Sequence, residues 1–303
     1  MSERLERIDK TGRTPLMRAC EKGNLEQAQR LIDKGVDIEA VGMCARTPLV
    51  LACLKGHEAI VRLLIDKGAA IGHSSLLMAA QEGHAAVVEL LIRAGVDVND
   101  NQEGRDLTAL LVASEQGHVD VVDCLLSLGA NTELKDWEGK TALMVASEKR
   151  MIDVVDRLLA AGCNVNSQDI YNATALLFAA RGGHVPIVDR LVVHGADFNH
   201  QNKRGDSALI WASREGHIEA VDRLLSLGCD VDAQDRDGWT ALMWACWENR
   251  IDIVRLLLDH EADPLLCNKS GKRTIDLYRS PEIQTLLNGL IILSFHHHHH
   301  HVP

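Results

Sequence analysis

Aromatic side chains are scarce in this chain: five Trp, three Phe and two Tyr make up 3% of its 303 residues. A core so poor in rings has to be filled by Leu, Ile, Val, Ala and Met, which suits helices packed at short distance. No run approaches the ~18–20 apolar residues of a membrane-spanning helix. The N-terminus, Met1-Ser-Glu-Arg-Leu-Glu-Arg, lacks the apolar stretch of a secretion signal. Positive charge is not in excess either. Lys and Arg number 32 against 43 Asp and Glu, for a net charge of −11. That argues against a nucleic-acid surface, which needs a basic stripe, and favours neutral or basic partners. These absences lead us to expect a cytoplasmic chain with no membrane insertion.

Chemical motifs are also missing. There is no phosphate-binding Gly-x-x-x-x-Gly-Lys-Ser/Thr loop, no Gly-x-Gly-x-x-Gly and no His-Glu-x-x-His. Asp235-x-Asp237-Gly238 has only the first few residues of a calcium loop and reads as a turn. The eight cysteines include no Cys-x-x-Cys pair, so neither a disulfide framework nor a zinc site is expected. We expect no catalytic residues, no metal and no cofactor, because catalysis needs unlike groups converging on one point.

What is present is self-similarity. A Thr/Ser-Pro/Ala-Leu tripeptide starts at Thr14, Thr47, Thr108, Thr141, Thr174, Ser207 and Thr240, with a weaker copy at Ser74 and a degenerate one at Arg273. Most copies are 33 residues apart. Nine residues after the Thr comes a helix-stopping Gly (Gly23, Gly56, Gly83, Gly117, Gly183 or Gly216), then usually a His. An apolar-periodic segment follows, ending in pairs such as Leu125-Leu126. Polar links such as Asp136-Trp-Glu-Gly139 and Asp235-Arg-Asp-Gly238 carry turn signals. Each copy therefore predicts two short helices and a turn. Neither helix pair can cover its own apolar faces, so neighbours must do so.

With Thr14-Pro-Leu, Gly216-His, Ile253-Val, Leu125-Leu and Gly95-Val-Asp-Val-Asn99, the chain resembles the ankyrin-repeat family over about residues 9–288. The resemblance implies an all-α solenoid of stacked helix–turn–helix units with β-turn fingers, about eight full repeats and a short terminal cap near residue 273. We expect residues 1–292 to form one such array and 293–303 to be a tail with a His tag at His296–His301. Residues 289–295 read either as a native terminal helix or as a join. Four departures stand out. The family His after Thr-Pro-Leu is replaced by Met17, Val50, Leu77, Leu111, Met144, Leu177, Ile210 and Met243. Ala replaces Pro in four copies. The finger between the second and third units is nearly deleted, at Ile71-Gly-His73, and one residue is inserted near Asn101-Gln-Glu-Gly104. Arg150 and Asn249 stand where Gly is expected.

Columns compared within the chain separate scaffold from surface. Cys20, Cys53 and Cys246 share a column with Ala80, Ala180, Ser114, Ser147 and Ser213, which reads as a slot for small side chains. His57, His84, His118, His184 and His217 recur at one helix entry, and each is expected to bond local backbone. Trp211 and Trp244 end an otherwise apolar column and read as packing residues. Trp239 and Trp247 depart from polar columns and read as exposed. Trp137 and Tyr171 sit in finger turns, and Arg181, Lys203, Arg204, Arg214 and Arg236 cluster in the later units. In the family, fingers and first helices line the concave binding face, and Trp, Tyr and Arg dominate binding hot spots.

We therefore expect these nine residues to bind another protein or peptide segment, in a monomeric, non-enzymatic interaction module. The alternative is a scaffold or regulatory domain of a larger protein, membrane-linked or a secreted bacterial effector. Asn99, Asn166 and Asn199 also resemble hydroxylation positions of the family.

Overall fold

The computed structural model describes residues 2–102 and 104–289. The tag, the 292/293 boundary and residues 290–295 lie outside them, as does Glu103 within the inserted segment. By internal contacts the chain divides into two units. One holds the chain up to Ala146 together with Asp156–Cys163; the other holds Ser147–Val155 and the chain from Asn164 onward.

After a short α1 (Ser2–Leu5), the first unit is built of antiparallel helix pairs: α2 (Pro15–Lys22) with α3 (Leu25–Asp33), α4 (Pro48–Lys55) with α5 (Glu58–Asp66), α6 (His73–Glu82) with α7 (Ala85–Arg93), and α8 (Ala109–Gln116) with α9 (Val119–Ser127). The unit boundary falls within α10 (Ala142–Glu148) and α11 (Ile152–Ala160). The second unit continues with α12 (Ala175–Arg181) and α13 (Val185–Val193), α14 (Ala208–Glu215) and α15 (Ile218–Ser226), and α16 (Ala241–Trp247) and α17 (Ile251–Asp259). A 3₁₀ turn at Thr274–Asp276 and helical residues 281–289 complete it. Within each unit the first helices of successive pairs pack side by side, and the second helices form a second layer behind them. The described residues are all-α, with one isolated bridge between Cys267 and Arg273.

The first helices start where the Thr/Ser column predicts. The hydroxyls of Thr14, Thr47, Thr108, Thr141, Thr174, Ser207 and Thr240 each accept the amide three residues on. This satisfies one of the donors a helix start leaves open. That third residue is the apolar replacement for the family His, and Met17, Met144, Leu177, Ile210 and Met243 are all essentially inaccessible there. The third copy differs. With its finger deleted, α6 begins at His73 behind Gly72, with no side-chain cap, so Ser74 is not a cap. The following link folds back instead: Asp100 Oδ2 meets His73 Nδ1 at 2.6 Å, and the Gln102 amide donates to the His73 carbonyl.

Helix ends are sealed by the next repeat. Gly23, Gly56, Gly83 and Gly216 are left-handed, and so are Arg150 (φ 68°) and Asn249 (φ 59°) in the two copies lacking Gly. A Cβ on Gly23 would stand 2.6 Å from the His57 ring, so the left-handed residue also makes room for a side chain from the following repeat. His57, His84 and His118 donate through Nε2 to the carbonyls of Glu21, Leu54 and Gln81, in the last turn of the preceding first helix. The expected local bond is thus an inter-repeat one, and it satisfies a carbonyl that a helix terminus leaves open. Where the eighth copy has Arg250 instead, its Nη2 donates to the Arg214 carbonyl at 3.3 Å.

The second helices bury aliphatic triplets completely: Val121, Val122 and Leu125; Ile187, Val188 and Leu191; Ala220, Val221 and Leu224. Each Val or Leu contributes roughly 1.5–3 kcal/mol. All eight cysteines are free thiols. Burial pushes Cys20, Cys53 and Cys246 up to about 12, and Cys163 and Cys229 up to about 11. In the same slot as the first three, Ser114, Ser147 and Ser213 are wholly buried and their hydroxyls have no partner.

Two outcomes follow. Ser114→Ala and Ser213→Ala each remove a buried hydroxyl that is not hydrogen-bonded, at nearly constant volume. Each should raise stability by about 1 kcal/mol in urea unfolding. His184 is held below its ordinary value of 6.5, first by burial and then by the Arg150 charge, and its Nδ1 is buried without a partner. The unfolded chain therefore takes up a proton that the folded chain refuses as pH falls below about 6.5. Stability of the surrounding repeats should fall from pH 7 to pH 5 by more in the wild type than in His184→Gln, as read from urea midpoints at each pH.

Candidate functional site

The fingers of the second unit are built on one Asp or Asn each. The Oδ1 atoms of Asp169, Asn202, Asp235 and Asn268 each accept two amides, two and four residues on. The backbone of each finger also closes on itself, as in Asp235 N to Trp239 O at 2.8 Å. A short polar side chain that bonds its own backbone is what such a turn requires.

Successive fingers are joined. Lys203 N donates to Tyr171 O, Arg236 N to Arg204 O and Lys269 N to Asp237 O, all at 2.9 Å. Gly205 and Gly238 permit this approach, because a Cβ on Gly205 would come within 2.8 Å of the Arg236 amide nitrogen. The joined fingers present Tyr171, 57% exposed, with Lys203, Arg204 and Arg236 also exposed. These three cations make no side-chain hydrogen bond or ion pair among the described residues.

Behind the fingers, the first helices carry aromatic rings interleaved with guanidinium groups. Phe178 and Trp211 meet edge to face at 6.0 Å, and the Arg181 guanidinium lies over both, at 5.0 and 4.8 Å. Arg181 Nη2 bonds Glu148 Oε2 at 2.7 Å. Trp211 is 7% exposed and donates Nε1–H to Asp206, as Trp244 does to Asp235. These two fit the packing role read for them, and they also pin each finger to its own helix. Trp239 stacks on Trp244 with centroids 4.5 Å apart and meets Trp247 edge to face at 5.9 Å. Arg214 lies over Trp244 at 5.1 Å and Arg279 over Trp247 at 3.8 Å.

This geometry corrects one expectation and leaves others standing apart. Trp239 is half-buried rather than exposed, because Trp244 and Trp247 close on it. Trp247 keeps 37% exposure. The second unit brings together Tyr171, Arg181, Lys203, Arg204, Arg214, Arg236, Trp239 and Trp247, on joined fingers and the helices behind them. Trp137, 74% exposed, belongs to a finger of the first unit. Arg279 was not among the expected residues. Its signal was its place in the degenerate last copy, six residues after Arg273, next to the column that holds Trp247.

Asn99, Asn166 and Asn199 use Oδ1 to accept the amides of Asn131, Asp197 and Asp230, each from the following repeat. Among the described residues no group of three or more His, Cys, Asp or Glu could hold a metal, and no helix is long and apolar enough to cross a membrane.

Residues 3–75, 76–169 and 172–267 match three copies of the family model for ankyrin repeats. No curated protein matches the chain.

Asp235→Ala removes the acceptor for two finger amides and for Trp244 Nε1–H. It should cost about 2–3 kcal/mol in unfolding experiments and shift Trp emission. Lys203→Ala, which removes only an exposed side chain, should stay within about 0.5 kcal/mol of wild type.

Proposed function

The chain belongs to the ankyrin-repeat family, whose members are generally protein–protein interaction modules and typically not enzymes. From that premise we propose that it binds a protein or peptide segment through the fingers and first helices of its second unit. One observation carries the reading. Exposed Tyr171 and Trp247 share these elements with Lys203, Arg204 and Arg236, three cations whose side chains make no hydrogen bond or ion pair among the described residues, in a chain whose net charge is strongly negative. Large amphipathic rings that lose little conformational freedom on binding, beside arginines, are the residue types that dominate interface energies.

The scaffold favours binding because it is ordered before the partner arrives. Asp or Asn holds each finger, the next finger holds its tip, and the ring N–H groups of Trp211 and Trp244 fix finger to helix. Side chains positioned in this way need little further ordering, which is the main cost a flexible site would bear.

The test is capture of partners from the native host with wild type, a Tyr171→Ala/Trp247→Ala variant and a Val193→Ala control. Val193 is 81% exposed but lies on a second helix. Each ring removed should cost on the order of 2 kcal/mol of binding if it is a hot spot, so captured proteins should vanish with the double variant and persist with the control. Equal capture by all three chains would place the binding face elsewhere.

A further inference from the structure

We infer that the ligand of this face is an acidic, extended peptide segment that meets it through carboxylates spaced about one per repeat. The inference rests on the reading that the fingers and first helices of the second unit bind a protein. It reverses, locally, the expectation of neutral or basic partners drawn from the net charge.

The molecule contains its own template for the contact. The Glu148 carboxylate accepts from Arg181 Nη2 at 2.7 Å, while the Arg181 Cζ lies over the Phe178 and Trp211 rings at 5.0 and 4.8 Å. A guanidinium held over a ring still has N–H donors to offer a carboxylate, as Arg181 shows. Arg214 and Arg279 likewise place Cζ over Trp244 and Trp247, at 5.1 and 3.8 Å. Yet Arg214 has only a long 3.8 Å approach to Asp206, which also accepts from Trp211, and Arg279 has no carboxylate within reach among the described residues. Two arginines held over indole rings thus stand ready for the bond that the first already makes.

The joined fingers add Lys203, Arg204, Arg236 and Lys269, all exposed, against a single exposed carboxylate at their tips, Asp237. A cationic ligand finds no comparable place. Trp239 and Trp244 are too close, at 4.5 Å, to admit a cation between them, and Trp244 and Trp247 each already carry a guanidinium. A long polyanion is disfavoured because the chain as a whole, with this cationic strip counted in, still carries a net charge of −11. A short segment is not, because it meets only the strip.

Spacing follows from the packing. Neighbouring helices lie about 8–10 Å apart, and an extended chain advances about 3.3 Å per residue. One repeat therefore corresponds to about three residues of ligand.

The experiment titrates the full chain into a fluorescein-labelled peptide of about twelve residues, (Glu-Gly-Ser)₄, and reads anisotropy at low salt and at about 0.5 M salt, where surface charges are screened. Its counterpart (Gln-Gly-Ser)₄, anionic phosphatidylserine vesicles and a short DNA duplex are measured in parallel. The expected result is binding of the Glu peptide about tenfold or more tighter than the Gln peptide, lost at high salt. Lys203→Glu/Arg204→Glu/Arg236→Glu, with folding checked by circular dichroism, should weaken it by a similar factor. Equal binding of the two peptides, insensitivity to the triple variant, or tighter cation-dependent binding of vesicles or duplex would overturn the inference. If neither peptide binds but Tyr171→Ala/Trp247→Ala still abolishes partner capture, the face stands and the acidic ligand is wrong. If neither peptide binds and capture is unaffected, both fall.

Discussion

The last-turn carbonyls of the first helices are the point on which each repeat depends on the next. A helix of seven or eight residues leaves half of its carbonyl groups without an intrahelical donor, and a side chain of the following repeat packs against that end. The donor comes from the following repeat, from His57, His84 and His118 in the second to fourth copies and from Arg250 in the eighth. At Gly23 and Gly56 the left-handed stop carries no side chain, and the His57 and His84 rings occupy the space that a Cβ would take. In these copies Gly and His form one device divided between two repeats.

The fingers obey the same logic at the other end of the helix. An Asp or Asn closes the turn on its own backbone, and a carboxylate at the finger, the spare oxygen of Asp235 or Asp206 at the end of the Asn202 turn, takes an indole N–H from the helix behind. Rings that would otherwise be free to move are thereby fixed, and the arginines laid over them are fixed in turn. The site is a by-product of scaffold bonding: what holds each finger also aims the side chains it displays.

Much of this was legible in the sequence because each signal recurs in register. The Thr caps, the stop residues and the slot shared by Cys20, Cys53 and Cys246 with buried Ser and Ala are one-residue rules, readable from a column alone. Where two columns interact, the reading failed. Trp239 departs from a polar column, which suggests exposure, but in this copy alone the columns of Trp244 and Trp247 are also aromatic, and the three rings bury one another. The histidine partner lay about one repeat upstream, at a distance in sequence that a local reading does not search. At the deleted finger, the capping role passed from Ser74 to Gly72, because shortening the link moved the helix start by two residues. Binding residues were the hardest to read, since nothing about an exposed charge records what it is exposed to.

The distribution of tryptophan has a spectroscopic meaning. Trp211, Trp239, Trp244 and Trp247 all belong to the second unit, while the first holds only Trp137, which already faces solvent. Intrinsic emission from the folded chain is thus a report on the second unit, set by indoles packed among Arg, Asp and one another. Loss of order in the first unit would pass almost unseen by fluorescence while removing helix from the circular dichroism spectrum. The two signals, recorded together, divide the molecule optically along the line where its contacts divide it.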